Sequence, residues 1–203
     1  RAPLREAWGQ LEREGLLEKL KARGYTVRAI SIEDVENAAA LRGVVEGYAA
    51  GQLASLGPSA KAVKAMEVSI AMSETVINAP ELTVTEIGQY QEANTLFHNT
   101  IVEECQNAFV VGALEKVKQV PIVTPGSFNK LGGKTKRERL RLTVGHSQHI
   151  IIWDAILNRD AIRAENMMRE HANAPLRYAE LFLGEDVTKV LPESLKRDAA
   201  GSL

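Results

Sequence analysis

Apolar residues return every three to four positions along most of this chain, and Gly, Pro or Asn mark the breaks. From Ser31 one stripe runs Val35, Ala38, Leu41, Val45, Tyr48, Leu53 and Leu56, the spacing of a helix face. Ser31 with Glu33 and Asp34 supplies a cap residue and acids for its first turn. After Gly57-Pro58-Ser59, a second helix carries Val63, Met66, Ile70 and Ile77 and ends at Asn78-Ala79-Pro80. A third spans about Thr83 to Gln106, with Ile87, Tyr90, Phe97, Ile101 and Cys105 on its stripe, and a shorter one spans about Ala108 to Gln119. The segment from Val120 to Thr135 holds two Pro and three Gly and reads as a loop. A fifth helix covers about Lys136 to Leu157, and Asn158-Arg159-Asp160 turns the chain into a sixth, about Ala161 to Leu183. Pro175 predicts a kink or break there, because proline has no backbone N–H to give the preceding turn. The polar residues that follow are expected to form a short helix and a frayed tail. No strand-length alternation appears after residue 30. The expected fold is therefore mainly all-α, an antiparallel bundle of about six helices.

The first thirty residues differ. Pro3 to Glu14 predicts a short helix with Leu4, Ala7, Trp8 and Leu11 on one side, and Gly15 ends it. Leu16–Leu20 and Tyr25–Arg28 are short strand candidates, joined by Lys21-Ala22-Arg23-Gly24. A helix followed by a basic-tipped hairpin matches the back half of a winged helix-turn-helix, whose recognition helix enters the major groove. The organisation expected is a partial DNA-binding head over 1–30, a helical ligand-binding and dimerisation body over 31–185, and a tail over 186–203. The chain opens at Arg1 without Met, and thirty residues are few for a whole winged helix, so further residues upstream are expected.

Composition alters this picture at one point. The 203 residues carry 25 basic and 26 acidic side chains, a formal net charge of -1 that argues against nucleic acid only if it is spread evenly. It is not. Residues 1–30 hold seven Arg and Lys against four Glu, a surplus of +3, which leaves −4 on the rest. A basic head on an acidic body points to an anionic partner at the head, although a solvated helix face would look the same. The lone Cys105 excludes an internal disulfide and makes an intracellular setting the default. No apolar run approaches membrane-spanning length, and no secretory signal opens the chain.

The placement of the four His is the most informative feature of the body. His98 follows Asn94 by one turn on the third helix, and both fall on its apolar stripe. His146 and His149 recur with Leu142, Trp153 and Ile156 on the fifth helix, and His171 lies with Ala164, Met168 and Tyr178 on the sixth. His149 lies nine residues before the turn at Asn158, and His171 eleven after Asp160. These depths, roughly 14 and 17 Å at 1.5 Å per residue, allow the two to face each other across an antiparallel pair. Asn94, His98, His149 and His171 thus form a candidate metal site. Imidazole suits divalent transition metals, with Zn or Ni foremost and Mn admitted by an oxygen ligand. The alternative for each His is a hydrogen-bonded core residue. His146 is read as a rim residue of the pocket, with a substitute ligand as the alternative.

Other chemistries fail on inspection. Gly132-Gly133-Lys134-Thr135 ends like a P-loop, but Phe128 stands where the earlier Gly is needed and no strand precedes it. The residues three before His98, His149 and His171 are Thr95, His146 and Met168, so the Glu-x-x-His pairs of a di-iron bundle are missing. Nothing supplies an activated nucleophile with an orienting partner. The enzyme alternative is a metal-dependent hydrolase or lyase using a metal-bound water. A helical dimerisation module without ligand is the third reading.

Arg1-Ala2-Pro3-Leu4-Arg5-Glu6-Ala7, Leu11-Glu12-x-Glu14-Gly15-Leu16 and Arg23-Gly24-x-x-Val27 resemble the recognition helix and wing of GntR-family bacterial transcription regulators. Leu41-Arg42-x-x-x-Glu46, Asn94-x-x-Phe97-His98, Gln148-His149-x-x-Ile152 and Met168-Arg169-Glu170-His171 resemble the FCD effector-binding domain of the FadR subfamily. The resemblance runs from Arg1 to about Leu183. The helix count and Arg169-Glu170-His171-Ala172 further resemble the vanillate-responsive subgroup. It implies a cytoplasmic, homodimeric DNA-binding regulator, a repressor rather than an enzyme. In such a protein a small carboxylate, with an aromatic acid among the candidates, binds beside a metal and alters operator binding. The positions of Asn94, His98, His149 and His171 match the family's metal ligands, with Asn94 standing where many relatives have Asp. That exchange removes a negative charge and implies weaker metal binding without an anionic effector. Arg1 and Arg5 match base- and phosphate-contacting arginines, and Arg23 and Gly24 match the wing tip. Arg42 is the candidate clamp for the effector carboxylate. Its alternative role is an ion pair with Glu46 one turn on.

Overall fold

A computed structural model describes residues 2–20, 24–28, 31–117 and 135–183. The order of elements is α1 (Ala2–Arg13), β1 (Leu17–Lys19), β2 (Tyr25–Val27), α2 (Ile32–Leu56), α3 (Ala60–Ile77), α4 (Val84–Glu104), α5 (Ala108–Val117), α6 (Thr135–Leu157) and α7 (Ala161–Leu183). The fold is mainly all-α, as the periodicity predicts. The 120–135 loop lies almost wholly outside the described residues, and the 186–203 tail lies entirely outside them.

The head is a helix and a hairpin. Gly15 takes φ +76 as the chain leaves α1, a conformation glycine adopts without cost. β1 and β2 pair antiparallel, Leu17 with Val27 and Lys19 with Tyr25. Trp8 on α1 packs its ring 5.6 Å from that of Tyr25. Arg28, at the end of the hairpin, reaches into the body. It ion-pairs with Asp34 in the first turn of α2 and lies 3.8 Å from Glu18. Asp34 also completes a capping box, since its carboxylate accepts from the backbone N–H of Ser31 at 3.0 Å while the Ser31 hydroxyl accepts from the Asp34 N–H.

In the body, α2 packs chiefly on α7, α3 on α4, and α6 on α7. The shared core contains Leu53, Met66, Phe97, Ile101, Ile152, Ile156, Ala164 and Met168, all buried. The α2–α7 contact is unusually intimate because α2 turns Gly43, Gly47 and Gly51 toward α7. A Cβ at Gly43 would come within 3.2 Å of the Arg169 carbonyl oxygen, one at Gly47 within 3.0 Å of the Glu165 carbonyl oxygen, and one at Gly51 within 3.1 Å of the Ala161 carbonyl oxygen. Bare backbone on one helix therefore meets backbone on the other. α7 continues through Pro175 instead of breaking there. Ala164, Met168, His171, Ala172 and Ala174 bury its face before that point, and tertiary packing of this kind holds a helix whose local preference is to stop.

Candidate metal centre

Three helices each contribute one imidazole to the middle of the bundle. His98 comes from α4, His149 from α6 and His171 from α7, and all three are buried. The α6–α7 turn brings His149 and His171 to the same depth, with their Nε2 atoms 3.0 Å apart. The His171 Nε2 lies 3.2 Å from that of His98. All three rings offer a ligand atom within 4.8 Å of the others. Phe97 stacks flat on His149 at 4.0 Å and holds that ring in place.

The outer nitrogens of two rings are already engaged. His171 Nδ1 lies 2.9 Å from Gln148 Oε1, and His98 Nδ1 lies 3.0 Å from Glu46 Oε2. An oxygen facing each Nδ1 places that ring's proton there, which leaves a bare lone pair on each Nε2. This is the arrangement by which outer partners fix the tautomer of metal-binding histidines. Two bare lone pairs at 3.2 Å repel unless a cation lies between them. Protonation is a poor answer. Burial, reinforced for His149 by His171 and His98 and for His171 by His98, keeps both imidazoles neutral well below the ordinary histidine range.

The spacing tests the metal directly. Bonds of about 2.05 Å put two nitrogens about 2.9 Å apart at a right angle and about 3.3 Å apart at the tetrahedral angle. The observed 3.0 and 3.2 Å fall between these values. These two of the three nitrogen pairs are therefore spaced as a first-row divalent ion requires. Asn94 is buried one turn before His98 on α4; its amide offers an oxygen without charge.

Arg42 and Glu46 face this group from α2. Arg42 Nε donates to Glu46 Oε1 at 2.9 Å, so the i, i+4 ion pair forms. The Arg42 Nη2 lies 3.3 and 3.5 Å from the two nitrogens of His98. It is nearly equidistant from both, so it lies against the ring and not along either lone-pair axis. Burial alone would raise the Glu46 carboxyl, but Arg42 and His98 outweigh it and hold the group ionised far below the usual carboxylate range. His146 is buried on α6, where desolvation lowers it against a weaker upward pull from Glu74.

The sequence singled out every imidazole of this cluster, but not the roles of Glu46 and Gln148. Glu46 was legible only as the partner of Arg42, and Gln148 only as the neighbour of His149. At the head, Arg5 is exposed on α1. Gly24 takes φ +97 at the hairpin, where its carbonyl accepts from the Leu20 N–H at 3.0 Å. Arg1 and Arg23 lie outside the described residues.

The model of the FCD domain matches residues 37–174, which span α2 to α7 and every residue of the cluster. The chain belongs to the FCD domain family. Among curated proteins it is 23% identical over 182 residues to the uncharacterized HTH-type transcriptional regulator BphR of Paraburkholderia xenovorans (strain LB400), covering 88% of this chain and 70% of that one. It is 24% identical over 182 residues to the HTH-type transcriptional repressor GlaR of Escherichia coli (strain K12), covering 86% and 77%. A solved GntR-family transcriptional regulator from Pseudomonas syringae aligns with TM-score 0.48 at 20% identity, over 90% of this chain and 70% of that one. The FCD domain and the two curated relatives support a transcription regulator in place of the hydrolase or lyase alternative. Among the described residues, no helix is long and apolar enough to cross a membrane.

Proposed function

We propose that this FCD-domain protein is a metal-dependent sensor of a small carboxylate that controls its own binding to operator DNA as a homodimer, acting as a repressor. The observation that carries the reading is the convergence of ligand nitrogens from His98, His149 and His171, with two Nε2 pairs at 3.0 and 3.2 Å. In this reading Asn94 completes the protein ligands. Zn or Ni best suits the three imidazoles, and the metal supplies a Lewis-acidic position for an anion.

Charge then argues for what binds. Three neutral imidazoles and a neutral amide leave a divalent ion uncompensated. Glu46 and Arg42 cancel each other. The pocket keeps a positive surplus, which a carboxylate neutralises, and an aromatic acid is among the candidates. Arg42 is already in place beside His98 and can turn from Glu46 toward the incoming anion. The division of labour remains as read, with 1–30 contacting DNA, 31–185 sensing and dimerising, and 186–203 a tail. Arg5 and, outside the described residues, Arg1 and Arg23 supply phosphate and base contacts, and Gly24 brings the wing backbone close to them.

The test is fluorescence anisotropy with DNA from the protein's own promoter region, using the full chain loaded with zinc or stripped by a chelator. Loaded protein should release or tighten on DNA when a panel of short carboxylates is added, and stripped protein should not respond. A response that is identical with and without metal overturns the sensor reading.

A further inference from the structure

Apart from Glu46 Oε2, which faces His98 Nδ1, two side-chain atoms of α3 and α6 are buried without a hydrogen-bond partner among the described residues, and neither belongs to the metal donor set. They are the Ser73 hydroxyl on α3 and Nδ1 of His146 on α6. Ser73 is 0% exposed and His146 8%. Buried polar groups are nearly always paired, so each such orphan calls for a partner. Ser69, one turn before Ser73 on α3, shows the ordinary solution, because its hydroxyl donates to the Ala93 carbonyl of α4 at 2.8 Å.

Several contacts tie the region around these atoms to the cluster. α3 and α6 are antiparallel where Arg139, early in α6, donates to the Ile77 carbonyl at the end of α3. Two turns further along α6, His146 comes level with the stretch from Ser69 to Ser73, and it feels the field of Glu74. Tyr90 of α4 donates to the Leu142 carbonyl at 3.1 Å, one turn below His146. A Cβ on Gly145 would touch the Tyr90 oxygen at 2.9 Å and would lie 4.0 Å from Cε1 of His171. The Gly145–His146 turn of α6 thus stands beside the imidazole cluster, and His146 precedes His149 by about 4.5 Å of helix rise.

We propose that Ser73 and His146 form a neutral polar subsite that binds a hydroxyl group on the effector, so that the ligand is a compact hydroxy acid and not a simple acid or a dicarboxylate. A hydroxyl donates and accepts at once, as do serine and a neutral imidazole. A second carboxylate would meet the negative field of Glu74. The subsite rests on the proposed sensor reading, in which the carboxylate end lies at the metal and Arg42.

The experiment is calorimetric titration of the full, zinc-loaded chain with acids in matched pairs, hydroxybutyrates against butyrate and hydroxybenzoates against benzoate, with the dicarboxylates succinate and glutarate alongside. At least one hydroxy acid should bind about tenfold or more tighter than its deoxy parent, the net effect of one hydrogen bond in a protein site. Ser73→Ala should abolish that preference and leave the affinity for the deoxy parent unchanged. The same variant should raise the melting temperature of ligand-free protein, because it removes a buried group with no partner. His146→Phe should lose the preference as well. Deoxy acids or dicarboxylates that bind as well as the hydroxy acids overturn the subsite and leave the sensor standing. A preference that survives both substitutions also overturns it. If no acid of any kind binds in a zinc-dependent way, the sensor reading falls and the subsite with it.

Discussion

At the scale of residues, the proposed metal centre depends on a few atoms whose roles separate cleanly. His98→Ala and His171→Ala each remove one of three imidazole donors. Metal analysis of the purified variants should show bound zinc or nickel reduced to a trace, whereas unchanged content would exclude these ligands. Glu46→Gln keeps the donors but loses the ionised carboxylate that faces His98 Nδ1 at 3.0 Å. Loss of such an outer partner typically weakens metal binding about 10–100-fold, which competition against a chelator will measure. The pH dependence of stability follows from the same residues. Folding holds His149 and His171 well below their unfolded value of 6.5. Below that value the unfolded chain takes up protons that the folded chain does not. Metal-free protein should therefore lose stability as pH falls from about 7.5 to about 5.5, by up to about 1.4 kcal/mol per unit for each histidine. A flat thermal-unfolding profile over that range would contradict the assignment. The imidazoles were legible in the sequence because a polar ring on an apolar stripe violates the helix period. Gln148 and Ser73 were not. A buried side chain whose only partner is tertiary leaves no periodic trace, and Ser73 in particular reads as one more small residue between Met72 and Glu74.

At the scale of elements, period and punctuation located the helices described. Ser31, Ser59 and Thr83 all cap helices with their side chains. The strands were overestimated by a residue or two at their ends, as expected for a two-strand ribbon with little to bury. Pro175 does not break α7, because packing on α2 and α6 outweighs the local rule there. The glycine face of α2 was not read at all. Gly43, Gly47 and Gly51 recur every fourth residue, but without knowledge of the facing helix they look like helix-weakening positions. Gly47→Ala should test their role. Helix propensity favours Ala by roughly 1 kcal/mol, yet its methyl would meet the Glu165 carbonyl, which cannot swing aside. Overpacking of a tight core costs typically about 1–3 kcal/mol, so a net loss in denaturant unfolding is expected. A net gain would mean that α7 yields more easily than its backbone contacts suggest.

At the scale of the whole molecule, the uneven charge has a structural counterpart. Among the described residues, the basic side chains of the head, Arg5, Arg13, Lys19 and Arg28, lie on α1 and the hairpin, and the imidazole cluster lies in the bundle. Arg5→Ala should weaken binding to promoter DNA, and the slope of log affinity against log salt should fall by about 1 if the side chain meets a phosphate. Equal binding would remove Arg5 from the interface. Neither the effector nor the operator could be read from the sequence, because both are specified by surfaces assembled from several helices. One element joins the two ends. α2 begins at the Arg28–Asp34 ion pair and carries Arg42 and Glu46 further along the same unbroken helix. With Gly47 pressed against α7 as a fulcrum, Arg42 sits about 7.5 Å from the pivot and Asp34 about 20 Å from it. If the helix pivots there, displacement grows roughly 2.6-fold from Arg42 to the root of the wing. A sideways shift of Arg42 by about 1 Å, small for a guanidinium changing partners, would swing the root of the hairpin by more than 2 Å, enough to misalign a phosphate contact.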